Sequence, residues 1–348
     1  MMILRCVPLI ALICAPGLSA DPAQDSDRGD GWVRPGVFEF RVAPGPEFYY
    51  EVRSLAAQQD AQIPDEFAEA VAEIREIQTF LATPLSWPVV DGAFTVVEIP
   101  GQFAMALSVR LLPPTKHMAE GIKRIRVANA AARLAAHLDA LAPKWLEEQW
   151  PSRRDALEER ARELAELFPT GLQWRMAGAL NEQIGIKATD WVVPVKLVSQ
   201  LAGVPSASLL EAGGSMTSLL ATQDRSLSIL AEHAVYEVMH SLNAQPFYPA
   251  SMPETMLNKL HKAKIEARIS DAASNKLMRL CAANLMRQFV DPDHVDAGLA
   301  TGDYARRPKL HALEEGLWVQ FCAGDILRPE LVDTLCLVLG SGWDEKRP

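Results

Sequence analysis

The chain is poor in cysteine, with five among 348 residues. It holds no C-x-x-C pair, which removes the cysteine-type zinc sites and the dithiol redox motifs. It has no excess of positive charge either. Thirty-four Lys and Arg stand against 44 Asp and Glu, a net charge of −10. A nucleic-acid binder must neutralise phosphates with a basic surface, so that class is set aside. Beyond the first twenty residues no apolar run is long enough to span a bilayer. No repeat period is visible, which excludes solenoids and propellers.

What is present begins with a leader. Arg5 supplies a positive start, Val7–Cys14 an apolar run, and Leu18-Ser19-Ala20 a cleavage site before Asp21. Cys14 follows Ile13, so this is not a lipoprotein box. Residues 1–20 are therefore expected to be a signal peptide, with the mature protein exported to a periplasm or the exterior. The mature chain would keep Cys281, Cys322 and Cys336. One disulfide and one thiol are possible in an oxidising compartment, but three buried small hydrophobes is the preferred reading. Residues 21–35, rich in Asp, Gly and Pro, are expected to be disordered.

The rest is enough for one large or two medium domains. The pattern predicts an α+β protein, predominantly helical, with a small N-terminal α/β region (36–112) and a helical region (113–348). Val37–Val42 alternates as a strand. Pro44-Gly45-Pro46 is read as a break, and Phe48–Gln58 and Asp65–Phe80 as helices. Trp87–Pro100 is expected to be a hairpin turning at Asp91-Gly92. Lys123–Leu141 and Ser152–Leu167 read as helices, the second opening with a capping box, Ser152 to Asp155. Asp190–Val198 is expected to be an edge strand because of Pro194. Gly213–Thr222 is a second strand. After a Pro-rich excursion at Gln245–Pro253, helices are expected at about 254–268 and 272–290.

The stretch Asp224–Asn243, DRSLSILAEHAVYEVMHSLN, stands out. Leu227, Leu230, Ala231, Ala234, Val238 and Leu242 recur at helical spacing and make one apolar face. Asp224 is expected to cap its start. At about 100° per residue, His233, Tyr236, Glu237 and His240 share a second, narrow stripe. A carboxylate and two imidazoles on one stripe of an apolar helix require partners.

The words in this helix resemble the H-E-x-x-H helix of the zincin metallopeptidases, in a degenerate form: Tyr236-Glu237-Val238-Met239-His240, then Ser241-Leu242. The order of strand and then motif helix is also the zincin order, with an edge strand lining the cleft. The resemblance puts Glu237 at the general-base position and His240 at the second zinc ligand. Tyr236 stands where the first ligand histidine belongs. A phenol with a pKa of about 10 replaces an imidazole poorly, and a catalytic zinc takes three protein ligands. His233, one turn earlier, offers a different ligand set with Glu237 and His240. The gluzincin branch draws a third ligand, a Glu, from a later helix. Glu266 is a candidate, and the pair Glu314-Glu315 is another, more readily read as a surface pair. Asn284 is a polar residue in the later helix, where a ligand Glu would have been replaced.

The resemblance, with the leader, implies an exported zincin-like protein, a catalytically inactive pseudo-peptidase in a binding or structural role, with an unknown protein or peptide as partner and no cofactor. The alternatives are an active zinc peptidase with altered ligands, and an unrelated exported helical protein whose histidine stripe is a packing network. If the leader is cleaved as expected, mass spectrometry of exported protein will show a chain starting at or near Asp21. An intact Met1 on cytoplasmic protein would refute the assignment.

Overall fold

The computed structural model describes residues 35–58, 62–81, 87–107, 118–184, 186–188, 192–202, 204–210, 216–243, 278–279 and 281–297. The architecture is α+β and predominantly helical, as the sequence pattern predicts. Strand β1 (Phe38–Val42) leads to helices α1 (Pro44–Ala57), α2 (Ala68–Phe80, after a 3-10 turn Asp65–Phe67), α3 (Trp87–Thr95) and α4 (Phe103–Leu107). Then come α5 (Met118–Glu148), α6 (Trp150–Leu167) and α7 (Thr170–Ile184). Strands β2 (Val193–Val198), β3 (Ser206–Leu210) and β4 (Met216–Ala221) precede α8 (Leu227–Asn243). Residues 281–289 are helical again.

The sheet runs β1-β2-β4-β3. β1, β2 and β4 are parallel, while β3 lies antiparallel to β4 at the edge. Successive side chains on a strand point to opposite faces, and here each face has its own core. Val195, Leu197 and Leu220 join α6, α7, α8 and the helical stretch 281–289. Val198, Leu219 and Ala221 join α1 to α5. The sheet is thus covered on both faces, which suits its largely parallel strands.

Three expectations about strands change. Asp190–Val198 does not give an edge strand, because β2 sits between β1 and β4. Pro194 is tolerated there for a local reason. Val193 donates to Val37 O on the β1 side, so the donor that Pro194 lacks would point towards β4. Pairing with β4 starts only at Val195, so no ladder bond is lost. The strand within Gly213–Thr222 is also internal. Among the described residues the edges are β1 and β3, and nothing in the sequence pattern marks β3.

The expected hairpin at Trp87–Pro100 is a helix up to Thr95. Tertiary packing overrides the Asp-Gly turn signal. Val90 and Phe94 are fully buried, one helical turn apart. Phe94 stacks on Tyr49 with centroids 4.6 Å apart and planes 5° from parallel. Asp91 is drawn inward: Tyr49 Oη donates to it at 2.5 Å, and Arg53 Nε lies 3.6 Å away. Burial lifts the Asp91 carboxyl to about 6 against the opposing pull of Arg53 and Tyr49.

The capping box at Ser152 does not form either. Helix α6 starts at Trp150-Pro151, a position where proline costs nothing. Ser152 lies within it and donates its hydroxyl back to Gln149 O at 3.1 Å. Similarly, Pro44-Gly45-Pro46 opens α1 instead of breaking the chain. Gly45 N donates to Glu98 O at 2.9 Å, and a Cβ at Gly45 would sit 1.7 Å from Val97 O. Only glycine permits that approach. Gly45→Ala is therefore expected to lower the unfolding free energy by about 1–3 kcal/mol or more, the usual cost of overpacking. Urea denaturation measures it, and a loss under about 0.5 kcal/mol would contradict the contact.

Candidate functional site

Helix α8 forms because LSILAEHAVYEVMHSLN presents a continuous apolar face. Leu230, Ala231, Ala234, Val235, Val238, Met239 and Leu242 are buried against Met278, Cys281, Ala282, Leu285 and Met286, with Leu227 half-buried beside them. Its start is not capped by Asp224. That residue has a φ of 55° in the preceding turn. Ser226 takes the role, its Oγ accepting from Ile229 N at 3.4 Å and its carbonyl from Leu230 N at 3.0 Å.

The polar stripe packs between the edge strand and the segment at 279. Glu237 is 5% exposed. Ser206 Oγ donates to its Oε1 at 2.7 Å and Ser208 Oγ to its Oε2 at 2.6 Å. Ser208 Oγ also lies 3.0 Å from the Glu237 carbonyl. Ser241 extends the network, 3.0 Å from Ser218 on β4 and 3.4 Å from Ser208. Without a metal, the sequence predicts that Glu237 pairs with His240, His233 or the Tyr236 hydroxyl, or stays wet at a cleft floor. The partners are instead two serines of β3. They are spaced by two residues, so both face α8, and period-two serines in Ser206-Ala207-Ser208 are the signal that could have found them.

Burial pushes the Glu237 carboxyl up, while the two serine bonds and the charge of Arg279 hold it back. His233 and His240 are half-buried and lowered to about 4, first by desolvation and then by nearby arginine charge. His233 Nδ1 makes a long contact, 3.4 Å, to Ser206 Oγ. Tyr236 and His240 meet edge to face, ring centroids 4.6 Å apart and planes at 80°. Arg279 closes the stripe from the other side. Its guanidinium carbon is 5.3 Å from the centre of the Tyr236 ring, and it hydrogen-bonds that side chain. Burial keeps the Tyr236 phenol neutral by raising it above the usual range.

A second polar group on α8 escaped the sequence reading. Glu232 Oε2 lies 2.7 Å from His294 Nε2 and accepts from Ala297 N at 2.7 Å. Ser228 Oγ is 2.8 Å from His294 Nδ1. The connectivity is that of a serine-histidine-acid row, but the His294 side chain is 0% exposed. The row fastens the chain after the 281–289 helix to the start of α8.

The residues singled out for metal binding are thus partly brought together. His233, Tyr236, Glu237 and His240 share the stripe, while Asn284 is half-buried in the later helix. Glu266, Glu314, Glu315, Cys322 and Cys336 lie outside the described residues. Among the described residues, no group of three or more His, Cys, Asp or Glu side chains is placed to hold a metal ion. No helix among them is long and apolar enough to cross a membrane. Compared with known proteins, the chain matches no family model, no curated protein and no solved structure.

The stripe makes a pH signature. Each imidazole binds a proton less readily in the fold, at about 4, than in the unfolded chain, at 6.5. The stability they contribute is complete above pH 6.5 and is lost as pH falls towards 4. Glu237, raised by burial, acts oppositely: its contribution is full at low pH and lost as pH rises. A comparison isolates the histidines. The wild type should lose up to about 1.4 kcal/mol per pH unit for each imidazole between pH 6.5 and 4, relative to His233→Gln/His240→Gln. Parallel stability curves for the two proteins would contradict it.

Proposed function

We propose that this chain is an exported zincin-like protein that has lost peptidase chemistry and serves to bind a protein or peptide. The observation that carries the reading is the placement of Tyr236. The resemblance aligns it with the first ligand histidine, and it packs against His240 and is engaged by Arg279. A zincin reaction needs zinc to lower a water towards pH 7 and a carboxylate to take its proton. The donor set does not fit that metal. A neutral phenol stands at one ligand position, a guanidinium adjoins it, and both oxygens of Glu237 accept from serines.

The topology supports the zincin part of the reading. An antiparallel edge strand, β3, lies beside α8, and β4 leads into it. A polar packing network on an unrelated helical protein would not need that edge strand. The order of charge, apolar run and small residues in positions 1–20 supports export.

The purified protein is expected to contain well under one zinc per chain and to leave casein and short peptides uncleaved. Elemental analysis beside a Tyr236→His variant, with a peptidase assay, measures both. Glu237→Ala should lower stability and leave no turnover to lose. One zinc per chain with chelator-sensitive proteolysis would overturn the reading.

A further inference from the structure

We propose that β1 is a homodimer edge: Phe38–Val42 pairs antiparallel with the same strand of a second copy of this chain, about a two-fold axis at Phe40. β1 lies at the opposite edge of the sheet from β3, so this surface is separate from the polar stripe of α8.

The backbone of β1 is committed on one side only. Val37 O accepts from Val193 N, so Val37, Glu39 and Arg41 turn their peptide groups towards β2. Phe38, Phe40 and Val42 turn theirs outward. Gln173 covers the first outward donor, its Oε1 accepting from Phe38 N at 3.0 Å. Among the described residues, nothing pairs with the Phe40 N–H and C=O or with the Val42 N–H. Edges that must stay single carry lysine, proline or a bulge. The sequence FEFRV holds neither residue, and its register against β2 is unbroken from Phe38 to Val42.

The side chains make this strand self-complementary. With Phe40 opposite Phe40 of the other copy, Glu39 stands opposite Arg41, and Phe38 opposite Val42. Like charges placed directly opposite oppose strand pairing, and opposite charges favour it. Moving the register one pleat either way sets Glu39 against Glu39, or Arg41 against Arg41, so charge selects the register centred on Phe40. Both charged side chains are accessible, at 44% and 48% exposure, and within one chain they pair with each other. On the other face Phe40 is half-buried, its ring centroid 5.6 Å from that of Phe38 and 6.2 Å from that of Phe168. A second Phe40 directly across adds an aromatic cross-strand pair to this cluster. The Phe40 backbones exchange a reciprocal pair of hydrogen bonds, and each Val42 N–H donates to the Phe38 carbonyl of the other copy. Such a contact is closed by its own symmetry and stops at a dimer.

Analytical ultracentrifugation of the purified protein over a concentration series should show the mass of one chain doubling as concentration rises. Arg41→Glu and Glu39→Arg should each hold the protein at the mass of one chain where the wild type has doubled. Their melting temperatures should match the wild type at the same dilute concentration, because both side chains face solvent. Mixed in equal amounts, the two variants should recover the doubled mass, since every Glu then meets an Arg. Hydrogen exchange reads the strand itself: protection of the Phe40 amide should rise about tenfold or more from dilute to concentrated protein. One chain at every concentration would overturn the proposal, and a Phe40 amide protected in that monomer would assign the edge to another segment of the same chain. A dimer indifferent to both variants would place the interface elsewhere and overturn it. A mixture of the variants that stays at the mass of one chain would exclude this register and overturn it as well.

Discussion

The hydrogen bonds from Ser206 and Ser208 to Glu237 hold the centre of this molecule together. Glu237 lies at 5% exposure between α8 and the sheet. A carboxylate there without donors would cost several kcal/mol, or would be protonated. Two hydroxyls at 2.7 and 2.6 Å remove that cost. Both come from β3, an edge strand among the described residues, so the same bonds pin that strand to the helix. Ser241 and Ser218 continue the link to β4. The position of α8 over the sheet follows from this polar seam as much as from its apolar face. The seam also sets the direction in which His233, Tyr236 and His240 point.

A similar device operates on the far face of the sheet. Glu47, 1% exposed, accepts from Arg153 Nη1 at 2.9 Å and from Ser199 N at 2.6 Å. Arg153 Nη2 donates to Glu51 at 2.7 Å, and Trp145 Nε1 donates to the other Glu51 oxygen at 2.5 Å. One arginine thus joins α1 to α6, while Trp145 adds α5 and Ser199 adds the end of β2. Such a group gives little net stability against apolar substitutes of the same shape. Its effect is specificity, because any other packing of these helices would strand a buried charge. Both polar seams act at the sheet, where two separate cores meet and apolar contacts alone would permit sliding.

The legible parts of the sequence were those where local pattern and tertiary environment agree. The alternation in Val37–Val42 and the apolar face of Asp224–Asn243 each have a single solution, and both appear as expected. The errors have physical causes. Asp91-Gly92 carries a strong turn signal, but Val90 and Phe94 are at helical spacing and Tyr49 supplies a partner for Asp91. Pro194 suggests an edge, yet its missing donor falls before the β4 pairing begins. Strand β3 is short and half polar, so its sequence gives no apolar signal. Its identity depends on Glu237, 29 residues beyond Ser208 in the chain. The stripe on α8 was visible from spacing alone. Its partners are harder to read: Ser206-Ala207-Ser208 offers only a period-two serine pair, and Arg279 gains meaning when the fold brings it to the stripe.

The polar stripe of α8 is best understood through charge. Both oxygens of Glu237 are held in the serine seam, and Arg279 lies over the Tyr236 phenol. Both histidines are lowered to about 4, first by burial and then by arginine charge, so they are neutral near pH 7. A cation at the stripe would have to approach a guanidinium and break two short hydrogen bonds to reach the carboxylate. The charges and hydrogen bonds of the stripe are therefore arranged to pack α8 against β3 and the segment at 279, with the carboxylate satisfied by hydroxyls instead of by a positive ion.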